Sequence, residues 1–101
     1  MLKKIHSETG HLCHVTFELP PEAQAQTAYL CGEFNGWDQS ACPMERQASG
    51  SFALTLALEP GRAYRFRYLL DEERWENDWA ADGYAPNGFG SDDSLVNTQR
   101  V

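Results

Sequence analysis

Two alternating runs on either side of a proline–glycine turn constrain this chain more than any other feature. Phe52, Leu54, Leu56 and Leu58 stand two apart, and so do Tyr64, Phe66, Tyr68 and Leu70. Alanine and leucine favour a helix by propensity. A helix, however, would throw residues two apart ~200° from each other. A strand puts each set on one face, so both runs read as strands with one buried side. Between them, Glu59-Pro60-Gly61-Arg62 carries proline and glycine at the central positions of a type II turn. The expectation is a β-hairpin.

The same period recurs earlier. In residues 12–19, Cys13, Val15, Phe17 and Leu19 point one way, and His14, Thr16 and Glu18 the other. Pro20-Pro21 stops this strand, since proline donates no ladder hydrogen bond. Residues 27–33 read as a second strand, 44–47 as a short one and 95–101 as the last. Residues 77–94 hold four glycine or proline residues and many acids, and read as a long loop. About seven short strands in 101 residues imply an all-β chain. The expected architecture is an immunoglobulin-like antiparallel β-sandwich, a single domain over residues 1–101.

Charge narrows the partners. The net charge of −7 disfavours duplex nucleic acid and anionic membrane surfaces, whereas a neutral ligand meets no such repulsion. No stretch has the length needed to span a bilayer. Three cysteines, an odd number, and a start in which Lys3-Lys4 has no apolar run behind it point to reduced thiols and a cytoplasmic setting.

The second informative stretch is Gly32-Glu33-Phe34-Asn35-Gly36-Trp37-Asp38. Asn35 and Gly36 both tolerate positive φ and predict a tight turn, with Trp37 on its shoulder. A large aromatic there either folds into the core or lies on the surface as a platform. Trp75 follows a second turn, Asp71-Glu72-Glu73-Arg74, and offers another platform.

Two blocks together carry a resemblance. The first is Tyr29-Leu30-Cys31 running through Gly32-Glu33-Phe34-Asn35-Gly36-Trp37-Asp38. The second runs from Pro60-Gly61-Arg62 through Tyr64-Arg65-Phe66-Arg67-Tyr68-Leu69-Leu70-Asp71, Trp75-Glu76-Asn77-Asp78 and Asp82-Gly83-Tyr84-Ala85-Pro86-Asn87 to Phe89-Gly90-Ser91-Asp92-Asp93. In order and spacing they resemble the family 48 carbohydrate-binding module over residues 12–98. That family includes the early-set domains of glycogen-branching and debranching enzymes and the glycogen-binding domain of the AMP-activated protein kinase beta subunit. The resemblance is to the module alone. It implies an early-set sandwich that binds an α-1,4-linked glucan such as glycogen or starch. It also leaves room for a rival, an interaction module that docks on a glucan enzyme or kinase subunit with little sugar affinity.

The chemistry fits the residue types. A neutral glucan is held by flat rings against its C–H faces and by donors and acceptors aimed at its hydroxyls. The resemblance assigns Trp37 and Trp75 to the stacking. It assigns Arg67 to the hydroxyls, Phe89 to an apolar wedge, and Ser91 and Asp93 to further polar contacts. At Asp93 the family pattern has an asparagine; a carboxylate only accepts, so the donor half of that contact is lost. Arg65 shares a face with Arg67 and is a weaker candidate, because strand pairing is expected to carry it away from the tryptophans. Trp79 has no counterpart and is expected to pack.

Other chemistries have thin support. The many carboxylates between Asp71 and Asp93 sit on predicted loops without a cleft, so no catalytic pair is expected. His11, Cys13 and His14 are split between two faces by alternation, so no metal or cofactor is expected there. Cys31 and Cys42 read as packed thiols.

Overall fold

A computed structural model describes residues 2–9, 11–88 and 90–99. The alternating runs are strands, as their period requires. In chain order the strands are β1 (Leu2–His6), β2 (Cys13–Leu19), β3 (Ala28–Gly32), β4 (Glu45–Arg46), β5 (Phe52–Leu58), β6 (Ala63–Leu70), β7 (Arg74–Glu76), β8 (Gly83–Pro86) and β9 (Asp92–Asn97). They form two antiparallel sheets. The first has the order β1-β2-β5-β4; the second has the order β3-β6-β9-β8, with β7 also on β6.

The inward faces meet as the alternation demands. Cys13, Val15, Phe17 and Leu19 of β2 are buried against Leu30 of β3, Tyr64, Phe66, Tyr68 and Leu70 of β6, and Val96 of β9. Phe17 and Phe66 meet across the two sheets edge to face, with centroids 5.1 Å apart.

The expected hairpin is not there. β5 pairs with β2 and β4, while β6 pairs with β3, β7 and β9. The segment at residues 59–62 is an arch from one sheet to the other. Its local chemistry is as read, with Gly61 at φ 86°. Its polar groups, however, go to a distant residue. Thr98, fully buried, has its one hydroxyl proton within reach of both the Glu59 and the Arg62 carbonyls, and its oxygen accepts from the Arg62 amide. The Gly61 amide bonds the Thr98 carbonyl, and the Thr98 amide bonds that of Arg62. Held from outside, the turn lets its two strands diverge.

Four further strands differ from the expectation. β1 lies on residues with no apolar alternation; its inward edge is fixed by Lys4, 2.6 Å from Asp82 Oδ2, and by His6 Nε2, 2.9 Å from the Thr98 carbonyl. β8 crosses the predicted loop, and β9 begins at Asp92, inside that loop rather than at residue 95. β7 is set by the turn before it, where Asp71 and Glu72 both take positive φ (53° and 64°) and the Glu73 amide bonds the Leu70 carbonyl.

Strand β6 organises the second sheet. Along one edge it pairs with β3. Its other edge is shared: β9 occupies Ala63–Phe66 and β7 occupies Tyr68–Leu70. The gap between those two strands is closed by a clasp. Asp78 is buried, accepts the Tyr68 phenol at 2.6 Å, and has its amide on Ser94 Oγ at 2.9 Å. Asn77 ties in through Ser94 Oγ and the Asp92 carbonyl. Burial pushes the Tyr68 phenol well above its ordinary range, and the adjacent Asp78 carboxylate adds to the rise.

Candidate functional site

Alternation along β6 sends Arg65, Arg67 and Leu69 to the outer face of the second sheet, opposite the core. Cross-strand neighbours share that face: Leu95 and Cys31 lie beside Arg65 and Arg67, and Tyr29 and Trp75 flank Leu69. On β8 and β9, Ala85 and Asp93 pair on the same side. The floor of the site is therefore a strand face, and the side chains that rise beside it are Trp37 from the connection after β3, Trp75 from β7 and Asn87 from the connection after β8.

Trp37 reaches this face through strained backbone. Residues Glu33–Asn35 form one 3₁₀ turn, and then Gly36 (φ 65°) and Trp37 (φ 61°) are both left-handed. The expectation placed Asn35 at positive φ. Instead Asn35 works through its side chain, accepting from the Gly32 amide at 3.1 Å and donating to the Leu30 carbonyl at 2.9 Å. The cost of left-handed backbone thus falls on Trp37, a bulky residue that rarely accepts it. Its amide is anchored on the Gly32 carbonyl at 2.9 Å. Next, Asp38 Oδ1 accepts from the Ser40 amide (2.8 Å) and hydroxyl (3.1 Å), which fixes the following loop and holds the carboxyl below its usual range. Gly32 itself has no room for a side chain: a Cβ there would lie 2.6 Å from the Arg65 carbonyl oxygen and 2.8 Å from the Phe34 ring.

Trp37, Arg65, Arg67, Trp75, Asn87 and Asp93 together line a concavity of about 400 Å³. Four of the six predicted site residues are among them. Trp75 is 40% exposed and Trp37 is half-buried, so neither indole is a core residue. Ser91 sits at the rim, bonded to the residues that line it. Phe89 lies outside the described residues.

Asp93 lies on the outer face, but its carboxylate is covered by neighbouring side chains. It is 7% exposed and held among cations. Oδ2 lies 3.3 Å from Arg65 Nη1, and Oδ1 lies 3.1 Å from Arg67 Nε. The Arg67 Nε contact is ionic rather than a directed hydrogen bond. Asn87 Nδ2 donates to Oδ1 at 3.1 Å and to Ser91 Oγ at 3.0 Å. Arg67 Nη2 is engaged by Ser91 Oγ at 2.7 Å and the Asp92 carbonyl at 2.6 Å. One carboxylate thus pins two guanidiniums side by side, with Asn87 and Ser91 completing the frame.

Arg65, the weaker candidate in the sequence, and Asn87, which the sequence reading did not single out, both line the groove, for different reasons. Arg65 stays near the tryptophans because β9 pairs only with the first half of β6 and leaves the second half to β7, which carries Trp75. Asn87 follows Gly83 and Ala85 at period two, but the signal vanished once residues 77–94 were read as loop. Trp79 is the opposite case. It is 53% exposed instead of packed, because its neighbour Asp78 turns inward; its Nε1 donates to Glu76 Oε1 at 3.3 Å.

Under the groove lies Cys31, fully buried, whose thiol is pushed up to about 11 by burial and then by Cys42 and Asp38. A thiol so far above neutral pH is a floor, not a nucleophile. Among the described residues no group of three histidine, cysteine or acidic side chains is placed to hold a metal ion.

Residues 9–101 match the family described as the glycogen recognition site of AMP-activated protein kinase. Over 54 residues, 54% of this chain, the sequence is 43% identical to Protein FLOURY ENDOSPERM 6, chloroplastic, from Oryza sativa subsp. japonica. The matched stretch covers 10% of that protein's length.

Proposed function

The chain belongs to the family of the glycogen recognition site of AMP-activated protein kinase, and from that premise we propose that it binds α-1,4-glucan without turning it over. The observation that carries the reading is the convergence of two part-exposed indoles and two pinned guanidiniums on one concave sheet face. Trp37 and Trp75 stack on successive glucose rings. Arg67, with Nη2 already held, offers its remaining terminal N–H groups to a vicinal hydroxyl pair. Ser91 and Asp93 act by aiming Arg67 and Arg65 and not by touching sugar. Fixing the donors before the ligand arrives lowers the ordering cost of binding.

Stacking one glucose on one indole removes ~60–80 Å² of apolar surface from water, worth ~1.5–2 kcal/mol. Two stacks and a few hydrogen bonds, less the ordering cost, leave about −4 to −6 kcal/mol, a Kd from ~1 mM to tens of µM. Affinity of that size is useful on a polymer, where repeated sites add avidity.

Titration of the tryptophan fluorescence with β-cyclodextrin or maltoheptaose tests this. The indole signal saturates in the stated range, and Trp75→Ala weakens binding at least ~10-fold, or about 1.4 kcal/mol. No response at millimolar sugar overturns the reading.

A further inference from the structure

A second concavity, of about 320 Å³, is lined by Tyr29, Gln39, Ser40, Leu69 and Glu72. We infer that it is a second glucose-binding subsite, which receives the continuing end of the same linear chain held in the first groove. This rests on the glucan reading of that groove.

Continuity is the first argument. Leu69 stands two residues beyond Arg67 on β6 and points to the same face, about 7 Å further along the strand. It is paired with Trp75 on one side and Tyr29 on the other. Trp75 walls the first groove, and Leu69 and Tyr29 floor the second. The other wall is continuous too, since Trp37 lines one groove and Gln39 and Ser40, two and three residues on, line the other. A chain stacked on Trp37 and Trp75 that follows β6 therefore runs into the second hollow.

Chemistry is the second argument. The floor is apolar and aromatic, from buried Leu69 and half-buried Tyr29. The rim is polar and uncharged on one side, with the exposed amide of Gln39 and the hydroxyl of Ser40; on the other side it carries the exposed carboxylate of Glu72. A ring that shows C–H groups on one face and hydroxyls at its edge fits such a surface. A phosphate or other anion does not, because Glu72 and nearby Asp38 repel it. Size is the third argument. Either groove alone sits near the small end of the ~300–1,000 Å³ range of ligand clefts, whereas the two in series suit an oligosaccharide.

The test is a length series. Calorimetric titration of the chain with linear maltotriose through maltooctaose reads whether affinity keeps rising once the first groove is filled. The expected gain from the shortest binding chain to the longest is roughly 10-fold, about 1.4 kcal/mol. In a Tyr29→Ala, Gln39→Ala variant the long-chain affinity falls to within about twofold of the short-chain value, and short-chain binding is unchanged, because both residues line the second hollow and neither lines the first. Intact short-chain binding with no gain from length, or a gain that survives in the variant, overturns the second subsite alone. Failure of every chain length to bind overturns it together with the first-groove reading.

Discussion

The two outer faces of this sandwich obey the same alternation and end up as different surfaces. On the first sheet the outward residues mix short and long: Thr16 stands opposite Thr55, His14 opposite Ala57 and Glu18 opposite Ala53, while Lys3 of β1 pairs with Glu18 at 3.0 Å, and the indoles of Trp37 and Trp75 stand on the other sheet. The two threonine hydroxyls bond each other at 2.8 Å. On the second sheet the outward residues are Arg65, Arg67 and Leu69, and the connections at residues 33–43, 71–74 and 86–91 rise around them to make a trough. Period two decides only what points in and what points out. A binding face needs long side chains on the strand together with turns that lift aromatic rings beside them. The second sheet has both.

The largest expected effect comes from removing that lift. Gly32→Ala forces a Cβ against the Arg65 carbonyl and the Phe34 ring, at the start of the turn that presents Trp37. Overpacking of this kind costs ~1–3 kcal/mol. Urea denaturation should show the loss, and glucan titration of the folded fraction should show weakened binding as Trp37 shifts. Full affinity in this variant would mean that the trough does not depend on the turn.

A smaller effect follows from the clasp that holds β7, and so Trp75, beside β6. Tyr68→Phe takes the phenol donor away from buried Asp78 and should cost ~1–2 kcal/mol of stability. The same pair sets a pH dependence. The folded protein holds the Tyr68 proton more tightly than an ordinary tyrosine of 10.0 does. Its contribution is therefore complete below pH ~10 and is lost as pH rises toward the higher folded value. The difference in stability between wild type and Tyr68→Phe, measured by denaturation from pH 8 to 11, should shrink at the alkaline end. A difference that stays constant would mean that the phenol has the same affinity for its proton folded and unfolded.

How far this was legible in the sequence follows from what each residue's signal depends on. β2, β5 and β6 were legible because their period lies in the chain itself. The Pro60-Gly61 turn was legible as a turn but not as an arch, because its direction depends on Thr98, 36 residues beyond Arg62. β1 and β8 were hidden because little in them marks a strand: Lys3 and Lys4 are adjacent cations, and Gly83 and Pro86 at the two ends of β8 are residues that strands disfavour. At the candidate site, Trp37, Trp75, Arg67 and Asp93 were singled out through the resemblance that two blocks carry, and all four line one groove. The buried, ion-paired setting of Asp93 on that outer face was not legible. It follows from which strands flank β6, and that is a property of the assembled sheet.

The smallest expected effect tests the contrast itself. Thr16 and Thr55 sit on the flat face and share one hydroxyl pair, partly exposed to water. Cross-strand pairs of this kind are worth ~0.2–1 kcal/mol. Replacing both with valine keeps the branched shape that a strand prefers and removes only that hydrogen bond. Stability should therefore change by no more than about 0.5 kcal/mol, because water already competes for exposed hydroxyls. Glucan affinity should not change at all, since the whole core lies between this pair and the groove. If the double valine variant lost affinity while its denaturation midpoint held, sugar would be touching the flat face too. The difference between the two faces would then be one of shape and not of function.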